Sequence, residues 1–389
     1  MFYNCLMKNP LRNGVPIFPV LMFLLLLSWA TVMYSQGYRL NFNKKEVTVL
    51  QTGILSVRSN PEGAKVYLDG KVITATNSTI SSLAPATYKL EVTKDGFTSW
   101  GKQVQVYNDK VTDITALLIS KSPRIEPLTT FGVSAFSVSN DGSKIAYATK
   151  NGKEPGIWLL PLSGTTSISI FGGNRNLLIL DTPSIAYSMA KDLVWSPDDK
   201  QLLIKMNDSK YYVLDASGGA IQTTPEVVTS PEAIYQEWAT SKEDKLKKYL
   251  EKINLPQDFT AIALDPETVW SPDLKKFLYK NTLSDEKLEY KVSNFENPLP
   301  VGEELEYSPF KVDKESNAKV YWYSDSYHLI VVEEGTVEVI RIDGSNRTEI
   351  FTGNLASSKA YPTPGGDKII VLASFKQSVP PDLYTVSIR

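Results

Sequence analysis

Val194-Trp195-Ser196-Pro197-Asp198-Asp199-Lys200-Gln201-Leu202-Leu203-Ile204 and Val269-Trp270-Ser271-Pro272-Asp273-Leu274-Lys275-Lys276-Phe277-Leu278-Tyr279 spell one unit twice. Each reads as a strand, a tight turn and an apolar strand. Proline fixes φ at the first turn position, and the aspartate side chain caps the turn. Phe136 to Tyr147 repeats the unit with Asn140-Asp141-Gly142 as its turn. Val320 to Val331 and Tyr361 to Val371 are looser copies. A further alternating run follows each copy: Gly156 to Leu162, Tyr211 to Ala216, Leu288 to Ser293, Thr336 to Ile342 and Asp382 to Ile388. Several strands per unit, recurring every 40 to 75 residues or so, mean propeller blades. A small sheet with two apolar faces cannot stand alone, so blades pack face to face around an axis. Five copies are recognisable. The ring therefore has five blades, or six to seven if divergent blades lie within residues 165–192 and 216–264. Glu126 to Phe131 is expected to close it as the outer strand of the last blade.

These motifs resemble the TolB-like and WD-type propeller families over about residues 123–389. In those families the motif residues are structural. No catalytic, cofactor-binding or metal-binding residue is therefore assigned.

One insertion, near residues 230–255, is helical rather than β. Ser230 before Pro231 is a helix start, with proline at the first helical position. Ser241-Lys242-Glu243-Asp244 reads as a second start of capping-box type. Leu246, Tyr249, Leu250 and Ile253 share one helical face, and Pro256 ends the run. The expected role is a flap on the propeller edge; the alternative is a lid or docking element over one face.

Upstream, residues 53–118 alternate as strands. Ile54 to Val57 is followed by a break at Ser59-Asn60-Pro61-Glu62-Gly63, and Ala64 to Leu68 by Asp69-Gly70, a hairpin pair. Tyr88 to Val92, Gln103 to Tyr107 and Ile114 to Ile119 complete a small β-sandwich, expected to be antiparallel. Ser59-Asn60-Pro61-Glu62-Gly63-Ala64-Lys65-Val66-Tyr67-Leu68-Asp69-Gly70 resembles the first signature of the PEGA domain family, and residues 83–97 its second, with Ala86 where a glycine is usual. The resemblance implies an extracytoplasmic β-domain that acts as a spacer or a binding module, without catalytic residues.

Residues 15–34 (V-P-I-F-P-V-L-M-F-L-L-L-L-S-W-A-T-V-M-Y) contain no charge. That length spans a bilayer core. Lys8 and Arg12 precede it, which keeps the N-terminus in the cytoplasm. A signal anchor is expected. Ser28 and Ala30 supply the alternative, a cleaved secretory signal. The domain reading is 1–14 cytoplasmic, 15–34 transmembrane, 35–52 stalk, 53–118 sandwich, 119–125 linker and 126–389 propeller.

The chain has 389 residues, with 41 Lys and Arg against 43 Asp and Glu. No basic surplus points to nucleic acid. Cys5 is the only cysteine and His328 the only histidine. The exported part can therefore form no disulfide, and a His-dependent triad would have to use a residue that opens an apolar strand. Asn77, Asn207 and Asn346 head glycosylation-type triplets, which are incidental given the bacterial pairing of modules. Together these features suggest a monomeric, single-pass envelope protein without cofactors and without enzymatic activity. Its propeller would bind a protein, peptide or glycan. The alternatives are a structural cell-wall or surface-layer attachment protein, and an enzyme with carboxylates in the channel.

Overall fold

The computed structural model describes residues 17–35, 38–43, 46–150, 153–162, 176–217, 221–222, 224–253, 255–284, 286–376 and 379–389. Cys5, Lys8 and Arg12 lie outside the described residues. Helix α1 (Ile17–Ser35) is apolar throughout, and none of its span from Phe18 to Ser35 is buried. Nineteen residues at 1.5 Å each reach about 28 Å, a bilayer core's thickness. The stretch expected only as a stalk contains an antiparallel hairpin, β1 (Tyr38–Asn43) with β2 (Glu46–Gln51). Gln51 Nε2 donates to Tyr38 Oη at 2.7 Å and to Asp109 Oδ2 at 2.8 Å, which ties the hairpin to the next module.

That module has β3 (Gly53–Asn60), β4 (Lys65–Leu68), β5 (Lys71–Ala75), β6 (Ser78–Leu83), β7 (Thr87–Thr93), β8 (Trp100–Gln105) and β9 (Val111–Leu117). They form two sheets, β6-β3-β9 and β5-β4-β7-β8. Alternate residues point inward, so Leu55, Val57, Val66, Leu90, Val92 and Trp100 make the core. Asp69 and Gly70 both take positive φ, 48° and 79°, as the tight hairpin turn between β4 and β5 requires. The sandwich is not purely antiparallel: β3 and β9 run parallel. The cause is that β9 crosses back from the second sheet to pair with the first strand. As a result the chain enters and leaves at opposite ends of the module. An eight-residue strand separates those ends by about 26 Å.

The propeller follows, starting with β10 (Ile125–Pro127). Blade 1 is β11 (Ala135–Val138), β12 (Lys144–Thr149), β13 (Gly156–Pro161) and β14 (Asn176–Leu180). Blade 2 is β15 (Asp192–Trp195), β16 (Gln201–Lys205), β17 (Tyr211–Asp215) and β18 (Glu226–Val228). Helices α2 (Pro231–Ile253) and α3 (Gln257–Leu264) intervene. Blade 3 is β19 (Val269–Trp270), β20 (Lys276–Thr282), β21 (Lys287–Asn294) and β22 (Glu306–Asp313). Blade 4 is β23 (Lys319–Trp322), β24 (His328–Glu333), β25 (Thr336–Arg341) and β26 (Thr348–Thr352). Blade 5 takes β27 (Leu355–Pro362), β28 (Lys368–Ala373) and β29 (Asp382–Ser387), and β10 completes it as the outer strand. Closure therefore uses Ile125–Pro127, inside and just ahead of the expected segment. Asp382 reinforces it, accepting from Thr129 Oγ1 (2.7 Å) and Gly132 N (3.0 Å).

All five inner turns share one geometry. The fourth turn residue, Gly142, Asp199, Leu274, Ser326 or Gly366, has φ of 70°, 57°, 57°, 60° or 63°. Its N–H donates to the carbonyl three residues back in each case. The first residue's hydroxyl in Ser196 and Ser271 bonds Asp198 (2.7 Å) and Asp273 (2.5 Å) and accepts from the returning strand. Among the described residues of the propeller there is no sixth blade. Residues 216–264 contain β18 and the two helices, and β14 begins at Asn176; residues 165–175 lie outside the described residues.

Apolar clusters join blades 1 and 2, 3 and 4, 4 and 5, and 5 and 1. Between blades 2 and 3 the helices supply the packing instead. Leu246, Leu250, Ile253, Phe259 and Ile262 pack against Phe277 of blade 3. The insertion is one continuous helix from Pro231 to Ile253, so Ser241 begins nothing. The acidic and basic residues after it stay solvated without breaking the helix, and the real second helix follows Pro256. Helix α2 bridges the two inner turns: Lys245 Nζ donates to Pro197 O (3.5 Å) and Tyr249 Oη to Leu274 O (2.7 Å).

The sandwich docks on the turn side of blades 3 to 5. Leu117 and Ile119 are buried among blade 4 and 5 residues, and Ser120 N donates to Ile388 O at 2.7 Å. Asn346 takes both polar backbone groups of Gly101, at 2.9 and 3.1 Å. Lys102 Nζ lies 2.8 Å from Asp343, and Arg341 contacts Asp343 (2.5 Å) and Glu303 (2.6 Å). Burial alone would raise the Asp343 carboxyl, but Arg341 and Lys102 outweigh it and hold that group well below the usual carboxylate range.

Candidate functional site

The inner strands of all five blades surround a cavity of about 620 Å³. Their sequences place aromatic rings around it. Trp195, Trp270, Trp322, Tyr321 and Tyr361 line the wall, and Lys242 reaches it from α2. Inward residues of a four-residue strand alternate with residues packed between blades.

Most lining rings have their polar atoms engaged across blade boundaries. Trp195 Nε1 donates to Ser137 O of blade 1 (3.2 Å), and Trp322 Nε1 to Val269 O of blade 3 (2.8 Å). Tyr321 Oη donates to Ser358 O of blade 5 (3.0 Å). Trp270 bonds Ala263 O of α3 instead (3.1 Å), because helices occupy that boundary. The rings are thus fixed in orientation; Trp195 and Trp322, each 6% exposed, are mostly buried between blades, and Tyr321 and Tyr361 pack on each other, so the cavity meets only the part of each ring that these contacts leave open. Burial pushes the Tyr321 hydroxyl up to about 12 and raises that of Tyr361, so both stay neutral hydrogen-bonding groups at neutral pH.

One ion pair stands in the channel. Lys359 Nζ lies 2.9 Å from Asp192 Oδ1 and 3.3 Å from Phe136 O. It joins blades 5, 2 and 1. Its side chains are 32% and 44% exposed, so a ligand can reach both.

His328 lies elsewhere, at the start of β24. It is 2% exposed, with Nδ1 2.7 Å from Asp325 Oδ2, as an ordinary strand histidine. Its Nε2 has no hydrogen-bond partner among the described residues. The three glycosylation-type asparagines are engaged: Asn77 accepts from Ser59 N, Asn207 donates to Met189 O, and Asn346 holds Gly101. No group of three or more His, Cys, Asp or Glu suited to a metal occurs among the described residues. Sequence reading assigned no site residue. It treated Trp195 and Trp270 as part of a turn motif and passed over Asp192 and Lys359. Asp192 opens the inner strand of blade 2 and Lys359 lies within that of blade 5, and a charge on an inner strand was the available signal.

No curated protein matches the chain significantly. Among solved structures, a protein described as TolB from Agrobacterium tumefaciens is 18% identical, with 66% of this chain and 80% of that chain covered and a TM-score of 0.24. TolB from Acinetobacter baumannii is 16% identical, covering 77% and 59%, with a TM-score of 0.25. The WD40 repeats of RRP9 are 8% identical, covering 69% and 100%, with a TM-score of 0.33. Residues 52–121, which form the sandwich, match the PEGA domain family.

Proposed function

We propose that the chain is a membrane-tethered, extracytoplasmic, non-enzymatic binding protein. Helix α1 stays in the bilayer with the N-terminus in the cytoplasm. The sandwich lifts the propeller away, and the channel receives part of an envelope protein, a peptide or a cell-wall glycan. The observation that carries this reading is the cavity at the centre of the five blades. It is walled by oriented aromatic rings and holds an accessible Lys359–Asp192 pair. A concave site with an apolar wall and a few placed polar groups is the usual form of a binding site. Tethering raises the effective concentration of the propeller at the membrane.

The test uses the full chain in nanodiscs. Its binding to purified cell walls is measured by sedimentation, beside cross-linking in intact membranes. Recovery of one envelope partner, lost in Lys359→Ala, supports the channel reading. Pelleting with bare wall polymer, unaffected by Lys359→Ala, would replace it with a structural wall-attaching role.

A further inference from the structure

A second cavity, of about 390 Å³, lies where the sandwich meets the propeller. One wall is β8 with the turn into β9, and the other is the segment from Gly302 to Ser308 together with Asp343. Its volume is within the roughly 300–1,000 Å³ of small-molecule sites. The docking contacts use Lys102 and Asp343 but leave other polar groups of the lining unexplained.

Lys102 and Asp343 make an ionic floor, and Arg341 and Glu303 behind them balance it. Lys102 and Arg341 face Asp343 and Glu303, two cations against two anions, and each is paired. The floor therefore offers no bare charge to an ion. The rim is different. Gln103, Glu304, Ser308 and Tyr107 line the cavity, and among the described residues their side chains make no hydrogen bond. Three of these four groups both donate and accept; Glu304 only accepts. Tyr107 is 41% exposed, with Lys110 Nζ 5.7 Å from its ring centroid. An exposed ring beside free amide and hydroxyl groups complements a ligand with an apolar ring face and many hydroxyls. Glu304, which has no ion-pair partner among the described residues, disfavours an anionic one.

We propose that this cleft binds a neutral sugar unit, held by Gln103, Ser308 and Glu304, with its ring face on Tyr107. The site is bipartite, so an occupied cleft also fastens the sandwich to the propeller. It is separate from the channel and stands or falls independently of it.

The test is saturation-transfer NMR and calorimetry on the full chain in nanodiscs, since maltoside detergents would compete. The probes are glucose, N-acetylglucosamine and cellobiose, with glucuronate and glucose 6-phosphate as anionic counterparts. The expected result is saturable binding of at least one neutral sugar, at least tenfold weaker in Tyr107→Ala and in Gln103→Ala. Both residues are exposed, so both variants fold; unchanged tryptophan fluorescence on heating checks this. Three outcomes would overturn the proposal: no saturable binding of any neutral sugar, binding untouched by both substitutions, or anionic sugars binding as tightly as neutral ones.

Discussion

Arg341 is the sharpest point at which to break the joint between the two modules. Its side chain is 6% exposed, as is that of Glu303, and Asp343 is 15% exposed. Arg341→Met leaves two buried carboxylates facing Lys102 alone, which sits 2.8 Å from Asp343 and 4.0 Å from Glu303. Removing one partner of a buried ionic group costs about 3–5 kcal/mol, because the remaining charge stays desolvated. At roughly 2 °C per kcal/mol for a domain of this size, Tm falls by about 6–10 °C. The assay is thermal unfolding of the full chain in nanodiscs at pH 7, followed by tryptophan fluorescence. Adding Glu303→Gln leaves one cation and one anion, Lys102 and Asp343, and should restore more than half of the loss. A shift within the roughly 0–1 kcal/mol of surface ion pairs would refute the reasoning, as would a double variant no better than the single one.

Asp343 has a pH signature. Its folded pKa is depressed, so the stabilisation is complete above the unfolded value near 4 and is lost as pH falls toward the folded one. Chemical denaturation from pH 7 to 3 should show a loss below about pH 4 that is smaller in Asp343→Asn. Leu274 holds φ of 57° and is 44% exposed, a conformation that glycine takes freely. Leu274→Gly is expected to stabilise by about 0.5–1 kcal/mol, measured by urea unfolding, whereas Gly142→Ala destabilises by about 1 kcal/mol. Asp382→Ala leaves Thr129 Oγ1 and Gly132 N without their acceptor. It should cost about 1–3 kcal/mol and speed exchange of the Ile125 and Glu126 amides first, as seen by hydrogen exchange mass spectrometry.

What could be read from sequence was local. The turn needs a hydroxyl, a carboxylate and a left-handed residue within four positions, so Ser196 to Asp199 and Ser271 to Leu274 announced blades. Tyr323 to Ser326 and Thr363 to Gly366 build the same turn with weaker letters, yet the apolar strand after each kept them visible. Closure by the start of the domain was legible, but it was placed at Glu126 to Phe131 where the strand is Ile125–Pro127. Non-local choices were not legible. Nothing in β9 announces that it pairs parallel to β3, since alternation is the same in either direction. Nothing in α2 announces that it stands between blades 2 and 3. Its charged face reads as surface, and only Leu250 and its neighbours face the blade. The channel pair escaped for the same reason: Asp192 and Lys359 are 167 residues apart, and only the ring brings them together. The cleft at the joint depends on how two modules dock, which no single motif encodes.

The central claim is that the channel, rather than the outer rim of the ring, receives the partner. The most direct measurement is photo-cross-linking in intact cells from single positions of the full chain. One probe replaces Tyr361 at the channel wall and another Val227 on the outer strand of blade 2, 64% exposed. The account expects one discrete adduct from Tyr361, absent from Val227 and lost when Asp192 is changed to alanine. The same adduct from both positions, or none from the channel while Val227 yields one, would contradict it.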